Sequence, residues 1–148
     1  MTAWRDFERA EPAFAARVQD LLSGRKHLTM ATLRKDGSPR ISGTELEFAG
    51  GEIRIGSMPG SVKAKDLERD PRIAIHGPTS DPPEGDQRAW PGEAKIAGTA
   101  IEVDSGGDFH RFLIDLQEAV ITRLDDAGNG LVIESWTPER GLRTVRRT

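Results

Sequence analysis

The first part of the chain has the apolar spacing of a helix. Over residues 6–23, apolar side chains recur every three or four positions with charged side chains between them, and Gly24 follows as a helix stop. This pattern predicts one amphipathic helix, over about residues 6–23, whose apolar stripe covers one end of a larger core.

Beyond residue 26 the spacing of apolar positions changes to two, which is typical of strands. Asp-Gly and Gly-Gly pairs between the apolar segments are strong signals of short hairpins. The predicted strands cover residues 27–33, 41–48, 53–57, 72–77, 94–103, 112–124 and 131–136. Apolar spacing alone leaves 112–124 open between helix and strand, but its β-branched content and the DDAGNG turn after it favour a strand. A short helix over residues 61–70 follows the third strand, with Ser61 as its N-cap and Pro71 after its end.

Three segments lack regular spacing. Residues 78–93 are rich in proline and are predicted to form a surface loop, either a binding loop or a variable spacer. Residues 104–112 form a connection with room for a helical turn. Residues 137–148 are predicted to be a basic tail, since positions 139–148 carry four Arg and one Glu. The tail is either a solvated end or a segment whose Arg143, with Arg146 or Arg147, folds over a site and binds an anion.

The order of these elements predicts the fold class. A strand-rich chain with a helix inserted after the third strand favours a mainly β structure, a closed or split β-barrel with flanking helices, and a β-sandwich is the alternative. A length of 148 residues suits a single domain over residues 1–148, with the barrel at about 27–136.

Composition excludes several functional classes. The formal net charge of −3 argues against a general nucleic-acid-binding protein. The absence of Cys excludes disulfides, thiolate metal sites and thiol nucleophiles. The three His stand in no metal-ligand pattern, so no metal site is predicted. With no apolar run near the roughly 20 residues of a membrane span and no signal-peptide pattern, we expect a cytoplasmic protein that binds neither membrane nor nucleic acid.

No catalytic constellation is recognisable in the sequence. It has no G-x-S-x-G elbow, no paired-His motif, no G-x-G-x-x-G after a strand and no Walker loop. No catalytic residue is therefore assigned, and an enzyme of this sequence would rely on a bound cofactor for its chemistry.

The most informative segment leads from a strand into the short helix, over residues 56–72. Ser57, Gly60 and Ser61 offer amides and hydroxyls there, and Lys63 and Lys65 lie near the start of the helix. Free amides, hydroxyls and Lys side chains at a helix N-terminus suit a phosphate group. The lysines oppose the helix dipole, a cost that a bound anion would offset. The alternative is a solvated helix face of mixed charge.

A second candidate lies on the strand over residues 41–48. Ser42 and Thr44 share a face with Arg40 and Leu46, because side chains alternate along a strand. If that face points inward, the two hydroxyls need hydrogen-bond partners, which a ligand would supply. Solvent or cross-strand pairing is the alternative.

Taken in order, these motifs resemble a known family. A-T-L-R-x-D-G-x-P-R, followed by S-M-x-x-x-x-K-x-x-D-L-x-x-D-P-R, resembles the pyridoxamine 5′-phosphate oxidase-like, FMN-binding split-barrel superfamily over about residues 25–103. The later motifs F-x-x-F-x-x-D-L-x-E-A-V-x-T-R and L-V-I-E-x-W-x-P-x-R-G-L-R look like a small actinobacterial-type branch of it. The resemblance implies a six-stranded Greek-key split barrel that forms a homodimer. It also implies a flavin-dependent oxidoreductase, with FMN at the dimer interface and a small-molecule substrate.

The resemblance also implies roles for individual residues. The segment from Ser57 through Met58 to Lys65 would hold the cofactor phosphate, with Lys63 at the family's basic position. Ser42 and Thr44 would lie on the strand that lines the flavin ring, Ser42 in place of an Arg of the oxidases proper.

Departures from the family pattern keep alternatives open. No counterpart of the oxidases' substrate-binding helix is recognisable between Asp104 and Phe112, so vitamin B6 oxidation is not expected. One alternative cofactor is the deazaflavin coenzyme F420. Relatives that bind it often carry Arg or Lys at the position of Lys65. The acidic tail of that coenzyme would favour a basic rim, which Arg69, Arg72 and the terminal arginines could form. A non-catalytic flavin- or haem-binding protein is a further alternative.

Overall fold

The computed structural model describes residues 1–103 and 107–148. The strands, in chain order, are β1 (Leu28–Leu33), β2 (Pro39–Thr44), β3 (Glu47–Ala49), β4 (Glu52–Ser57), β5 (Arg72–His76), β6 (Glu93–Val103), β7 (His110–Leu124), β8 (Leu131–Thr137) and β9 (Gly141–Arg147). The helices are α1 (Trp4–Ala10), α2 (Pro12–Leu22) and α3 (Val62–Arg69), and a single 3-10 turn, Gln87–Ala89, lies in the proline-rich loop. Of the predicted connection over 104–112, residues 104–106 lie outside the described residues.

The strands form one antiparallel sheet that curves into a barrel. Its hydrogen-bonded order is β2-β1-β5-β6-β7-β4-β3, so the path holds the six long strands of a split barrel and the short β3 at its end. The β8–β9 hairpin extends the sheet from the second half of β7. The predicted fold class, a mainly β barrel with flanking helices, is confirmed.

A β-bulge bends the two longest strands. The register of β6 against β7 shifts between Ala97 and Gly98. A Cβ atom on Gly98 would collide with the carbonyl oxygen of Asp115, so only glycine fits this close approach of two backbones.

The N-terminal segment closes one end of the barrel. The single predicted helix is two helices, because Pro12 begins α2 at its first position, where a residue without an N–H is tolerated but cannot continue a preceding helix. Trp4 and Phe7 of α1 are fully buried, and the Phe7 ring lies 4.5 Å from that of Trp136 on β8. In the part of the chain that the structure describes, no helix is long and apolar enough to cross a membrane.

The residues before α1 are hydrogen-bonded to β7 just before the bulge. The Thr2 amide donates to the Asp115 carboxylate at 2.8 Å, and the Leu116 amide donates to the Thr2 carbonyl at 2.8 Å. The N-terminal segment is therefore part of the barrel structure.

The predicted strand over 41–48 is divided in two. β2 pairs with β1 as far as Thr44, and β3 then pairs with β4, so the chain changes partner strand between residues 44 and 47. This change brings the end of β2 close to the end of β4, where the site lies.

The predicted basic tail contains a strand. β9 pairs with β8 along its whole length, from Gly141 opposite Thr137 to Arg147 opposite Leu131. Most of its side chains are exposed on both faces, so the sequence carries no clear alternation of apolar and polar positions there.

One buried carboxylate fastens α2 to β7 and β8. Glu134 on β8 accepts two hydrogen bonds from Arg17 of α2, at 2.7 and 3.0 Å, and one from Arg123 of β7 at 2.8 Å. These hydrogen bonds, Arg17 first, outweigh the effect of burial and hold the pKa of Glu134 below its ordinary value.

Candidate functional site

A cleft of about 650 Å³ opens where the ends of β2 and β4 meet the start of β7. It is lined by His27, Gly43, Thr44, Glu45, Gly56, Ser57, Met58, Lys63, Gly107, Phe109, His110 and Arg111. Four residues singled out from the sequence are among them, namely Thr44, Ser57, Met58 and Lys63. Its volume falls in the range of small-molecule sites.

The turn between β4 and α3, residues 58–61, adjoins the cleft and lines it with Met58. The Ser61 amide donates to the Met58 carbonyl at 3.1 Å, and Gly60 adopts a positive φ of 70°. Ser61 is the N-cap of α3, as predicted: its hydroxyl oxygen accepts from the Ala64 amide at 3.2 Å and also pairs with the Ser57 hydroxyl. The Ser57 hydroxyl, which lines the cleft, is therefore paired with the N-cap hydroxyl of α3.

Lys63 joins this corner to β2. It is half-buried, and its ammonium group donates to the carbonyl oxygen of Gly43 at 2.8 Å. The contact leaves a positive charge on the cleft wall between the end of β2 and the start of α3. The anion-binding role of Lys63 stays a prediction from the sequence.

The opposite wall comes from β7 and includes His110, which sequence reasoning did not single out. The Gly60 amide donates to His110 Nε2 at 3.4 Å, so this nitrogen is the acceptor and Nδ1 carries the hydrogen, facing Glu102 Oε1 at 3.1 Å. The ring also stacks on Phe112, with 6.4 Å between centroids. His110 thus connects the turn at residues 58–61 to β6 and β7.

Two predicted site residues lie outside the cleft. Ser42 is half-buried on β2, between Arg40 and Thr44 on the same face. Lys65 is exposed and lines a neighbouring surface depression of about 480 Å³, called here the basic depression. Its lining residues are Arg34, Lys35, Asp36, Arg40, Val62, Lys65, Asp66 and Arg69.

A buried carboxylate, Asp66, anchors α3 to the sheet beneath the basic depression. It accepts hydrogen bonds at 2.7 Å from Thr32 of β1, Arg40 of β2 and Arg69 of α3 itself. Burial alone would raise the pKa of Asp66, but the hydrogen bonds from Arg40 and Thr32 and the charges of Arg40 and Arg69 hold it below its ordinary value. The charged Asp66 fixes the position of the helix that carries Lys63.

The basic rim expected for a deazaflavin is only partly present. Arg69 lies in the basic depression and is bound to Asp66, whereas the exposed Arg72 pairs with Asp70 at 2.7 Å. The hydrogen bonds from Arg72 lower the pKa of Asp70 to about 2.

The terminal arginines lie far from the cleft of their own chain. Arg143 of β9 stands opposite Ser135, and Ser135 stands opposite Val120 of β7. Val120 is separated from His110 by ten positions, or about 33 Å at the rise of a strand. The alternative in which the tail folds over the site of its own chain is therefore wrong, because β9 extends the opposite end of the sheet.

Comparisons with known proteins identify the family and the fold. The sequence profile of the pyridoxamine 5′-phosphate oxidase family matches residues 14–139. A search of curated proteins gives no significant match.

Solved structures share the fold at low sequence identity. A pyridoxamine 5′-phosphate oxidase-related, FMN-binding protein from Nostoc punctiforme is 12% identical, with a TM-score of 0.64 over 93% of this chain and 96% of that one. PhzG from Burkholderia lata, solved with tetrahydrophenazine-1-carboxylic acid, is 10% identical, with a TM-score of 0.63 over 93% and 87%. A haem-binding protein from Mycobacterium smegmatis is 15% identical, with a TM-score of 0.56 over 88% and 86%. Since the family profile covers most of the sequence and the barrel is that of these structures, the chain belongs to the pyridoxamine 5′-phosphate oxidase family.

Proposed function

We propose that the protein is a flavin-dependent oxidoreductase that binds FMN in the cleft and acts on a small molecule. The observation that carries this proposal is the corner formed by Lys63, Ser57 and Ser61, called here the phosphate corner. The Lys63 ammonium group and the Ser57 hydroxyl line a cleft of suitable size there, and Ser57 pairs with the hydroxyl of Ser61, the N-cap of α3. Bound FMN would supply hydride or electron transfer, and the chain would hold and orient it.

The donor set of the corner fits a phosphate group. Lys63 offers a cation that keeps two N–H groups beyond the one bound to Gly43, and the paired hydroxyls of Ser57 and Ser61 keep one O–H donor between them. A dianionic phosphate satisfies several such donors at once, with charge-assisted bonds stronger than neutral ones.

The middle of the cleft fits a flat ring. Gly43 of β2 and Gly56 of β4 leave its floor without side chains, and Met58 and Phe109 stand at its margin with 71% and 62% of their surface exposed. Apolar and aromatic groups around a bare backbone floor suit a planar aromatic ligand. The described residues thus provide separate places for the ring and for the phosphate.

A homodimer is part of the proposal. On the outer face of the sheet, Ile41, Ala31, Ala74 and Ala97 stand side by side across β2, β1, β5 and β6. Ile41 is 73% exposed, and the small alanines make the row flat. Such an apolar row on the outside of a barrel supports a second copy as its cover. The row adjoins β2, which also borders the cleft.

A haem-binding protein is a second candidate, favoured by one observation. Two imidazoles, those of His27 and His110, line the cleft, and imidazole is a common axial ligand of haem iron. The absorption spectrum of the purified protein distinguishes a flavin, a deazaflavin and a haem in one measurement.

The proposal is tested by removing the cation from the phosphate corner. For Lys63→Ala we expect FMN affinity to fall about 10- to 100-fold, because a charge-assisted contact is lost, while riboflavin, which has no phosphate, binds as before. Titration of apo-protein by flavin fluorescence measures both. Lys35→Ala is the control, since it removes the same charge outside the cleft. Unchanged FMN affinity in Lys63→Ala contradicts the assigned corner, and failure of the wild type to bind FMN contradicts the function.

A further inference from the structure

Four glycines lie within strands in residues 1–103 and 107–148, namely Gly43, Gly56, Gly98 and Gly141. A glycine inside a strand weakens it, because it loses more conformational freedom on folding than Ala and has no side chain to pack. Such a glycine marks a bulge or bend, a special backbone conformation, or a close approach by another backbone or by a ligand. Each of the four positions therefore calls for one of these reasons.

The fold itself explains two of these glycines. Gly98 lies at the β-bulge, where a Cβ atom would collide with the carbonyl oxygen of Asp115. Gly141 has a positive φ of 80° at the start of β9, a conformation that residues with a side chain rarely adopt. A side chain at either position would strain the backbone, so both glycines serve folding.

Gly43 and Gly56 have no such reason within the described residues of the chain. Neither has a positive φ, and the register of β2 and of β4 runs through these positions without a shift. A Cβ atom on Gly43 would lie 4.0 Å from its nearest neighbour, the Leu28 carbonyl oxygen. A Cβ atom on Gly56 would lie 3.8 Å from the His110 carbonyl oxygen. Both are ordinary van der Waals distances, so the strands leave room for a side chain at each position.

The two unexplained glycines lie at the same place. Both are exposed and line the cleft, Gly43 near the end of β2 and Gly56 near the end of β4. They also border the phosphate corner, because Gly56 directly precedes Ser57 and the Gly43 carbonyl oxygen accepts the hydrogen bond from Lys63. A ligand held by its phosphate at that corner would extend over both glycines.

On this basis, and resting on the proposed function, we infer that Gly43 and Gly56 are specificity-determining residues of the cleft. A side chain is absent at both positions because the flat face of the ligand lies directly against the two backbones. The ligand class is a planar fused ring that carries a phosphate, with the ring on the glycines and the phosphate at Lys63. A Cβ atom at either position would hold the ring away from the strand, and a gap of about 0.5–1 Å already removes a quarter to a half of the van der Waals attraction.

The experiment replaces each glycine by Ala. FMN and riboflavin, which share the ring and differ in the phosphate, are titrated by flavin fluorescence against wild type, Gly43→Ala and Gly56→Ala. The matched control is Gly24→Ala, outside the cleft, where an added Cβ atom also has only ordinary contacts, the nearest at 3.6 Å. Thermal unfolding of the apo-proteins measures Tm, and sedimentation velocity measures the oligomeric state at the concentration of the titration.

We expect Gly43→Ala and Gly56→Ala to bind both flavins about 10- to 100-fold more weakly, because a methyl group beneath the ring overpacks the site. The Tm of each apo-variant should equal or exceed that of wild type, since Ala costs a strand less conformational entropy than Gly. Gly24→Ala should bind both flavins as wild type does. A weaker ligand on a chain that is no less stable is the result that a glycine kept for folding would not give.

Three results overturn the inference. In the first, either cleft variant binds riboflavin as tightly as wild type; in the second, its Tm falls by several degrees, which assigns the glycine to folding. In the third, either variant changes the oligomeric state, which assigns the glycine to contact between copies of the chain. All three leave the proposed function intact if the wild type binds FMN, whereas a wild type that binds neither flavin contradicts the proposed function and this inference with it.

Discussion

Replacing Asp66 by Asn tests how α3, and with it the phosphate corner, is held against the sheet. The carboxylate accepts three hydrogen bonds of 2.7 Å from Thr32, Arg40 and Arg69. Asn keeps the shape of the side chain but has only one oxygen, and its NH₂ group would face donors. It also leaves the two guanidinium groups without their counter-charge.

The expected loss of unfolding free energy follows from the burial of the Asp66 side chain. The Asp66 side chain is 2% exposed, and removal of one partner from a buried ion pair costs about 3–5 kcal/mol. Arg40 and Arg69 remain 26% and 38% exposed, so water can partly solvate them, and we expect the lower end, about 3 kcal/mol. For a chain of this size such a loss lowers Tm by about 6–12 °C.

Urea denaturation at several pH values measures the effect and its cause. Because the folded-state pKa of Asp66 is lowered, its contribution is complete above the unfolded-state pKa near 4 and is lost as pH falls through the folded-state value. The free-energy difference between wild type and Asp66→Asn should therefore be largest at neutral pH and should shrink in acid.

Asp70→Asn is the matched control. It breaks an exposed carboxylate–arginine pair one residue beyond α3 and should change the free energy of unfolding much less. The reasoning is refuted if Asp66→Asn lies within about 1 kcal/mol of wild type at pH 7. It is refuted equally if the difference between them stays constant from pH 7 to pH 3.

Two further predictions concern the sheet. Gly98→Ala should lower the free energy of unfolding, measured in urea, by about 2–4 kcal/mol, because the added Cβ would collide with the Asp115 carbonyl. The control Ala97→Gly, one position earlier, should lower it by only about 1 kcal/mol, and equal effects of the two variants would argue against the bulge. Truncation after Pro138 removes β9 and should lower Tm, because β8 loses its hydrogen-bonded partner strand. The FMN affinity of the folded remainder should stay unchanged, and weaker FMN binding would instead require contact between β9 and the cleft of another copy.

The sequence predicts most of the strands because alternation is a local signal, and it fails where tertiary contacts decide. The division of the predicted strand 41–48 depends on which strand each half pairs with, and Leu46, apolar and half-buried, gives no sign of it. The strand β9 is missed because its side chains are exposed on both faces.

The residues of the candidate site were predicted where they belong to one local motif and missed where strand pairing brings them together. Ser57, Met58 and Lys63 belong to one continuous segment, so a local motif finds them. His110 enters the cleft only because it stands opposite Ser57 in the pairing of β4 with β7, a register that spacing along the chain does not reveal. Lys65 is placed elsewhere for a geometric reason, since two positions on a helix differ by about 200° and Lys63 and Lys65 face different sides.

The hydrogen bonds between β7 and the N-terminal segment bear on when that segment can fold. Thr2 binds a residue 113 positions away, and Phe7 packs on Trp136 at the other end of the sequence. Contacts of such separation form late, because the ends of a long loop must meet before any of their energy is gained. During synthesis Phe14 and Phe48 can cover only part of the aromatic face of α1, and the remainder stays exposed until Trp136 of β8 has emerged. In that interval the chain is prone to associate with other chains.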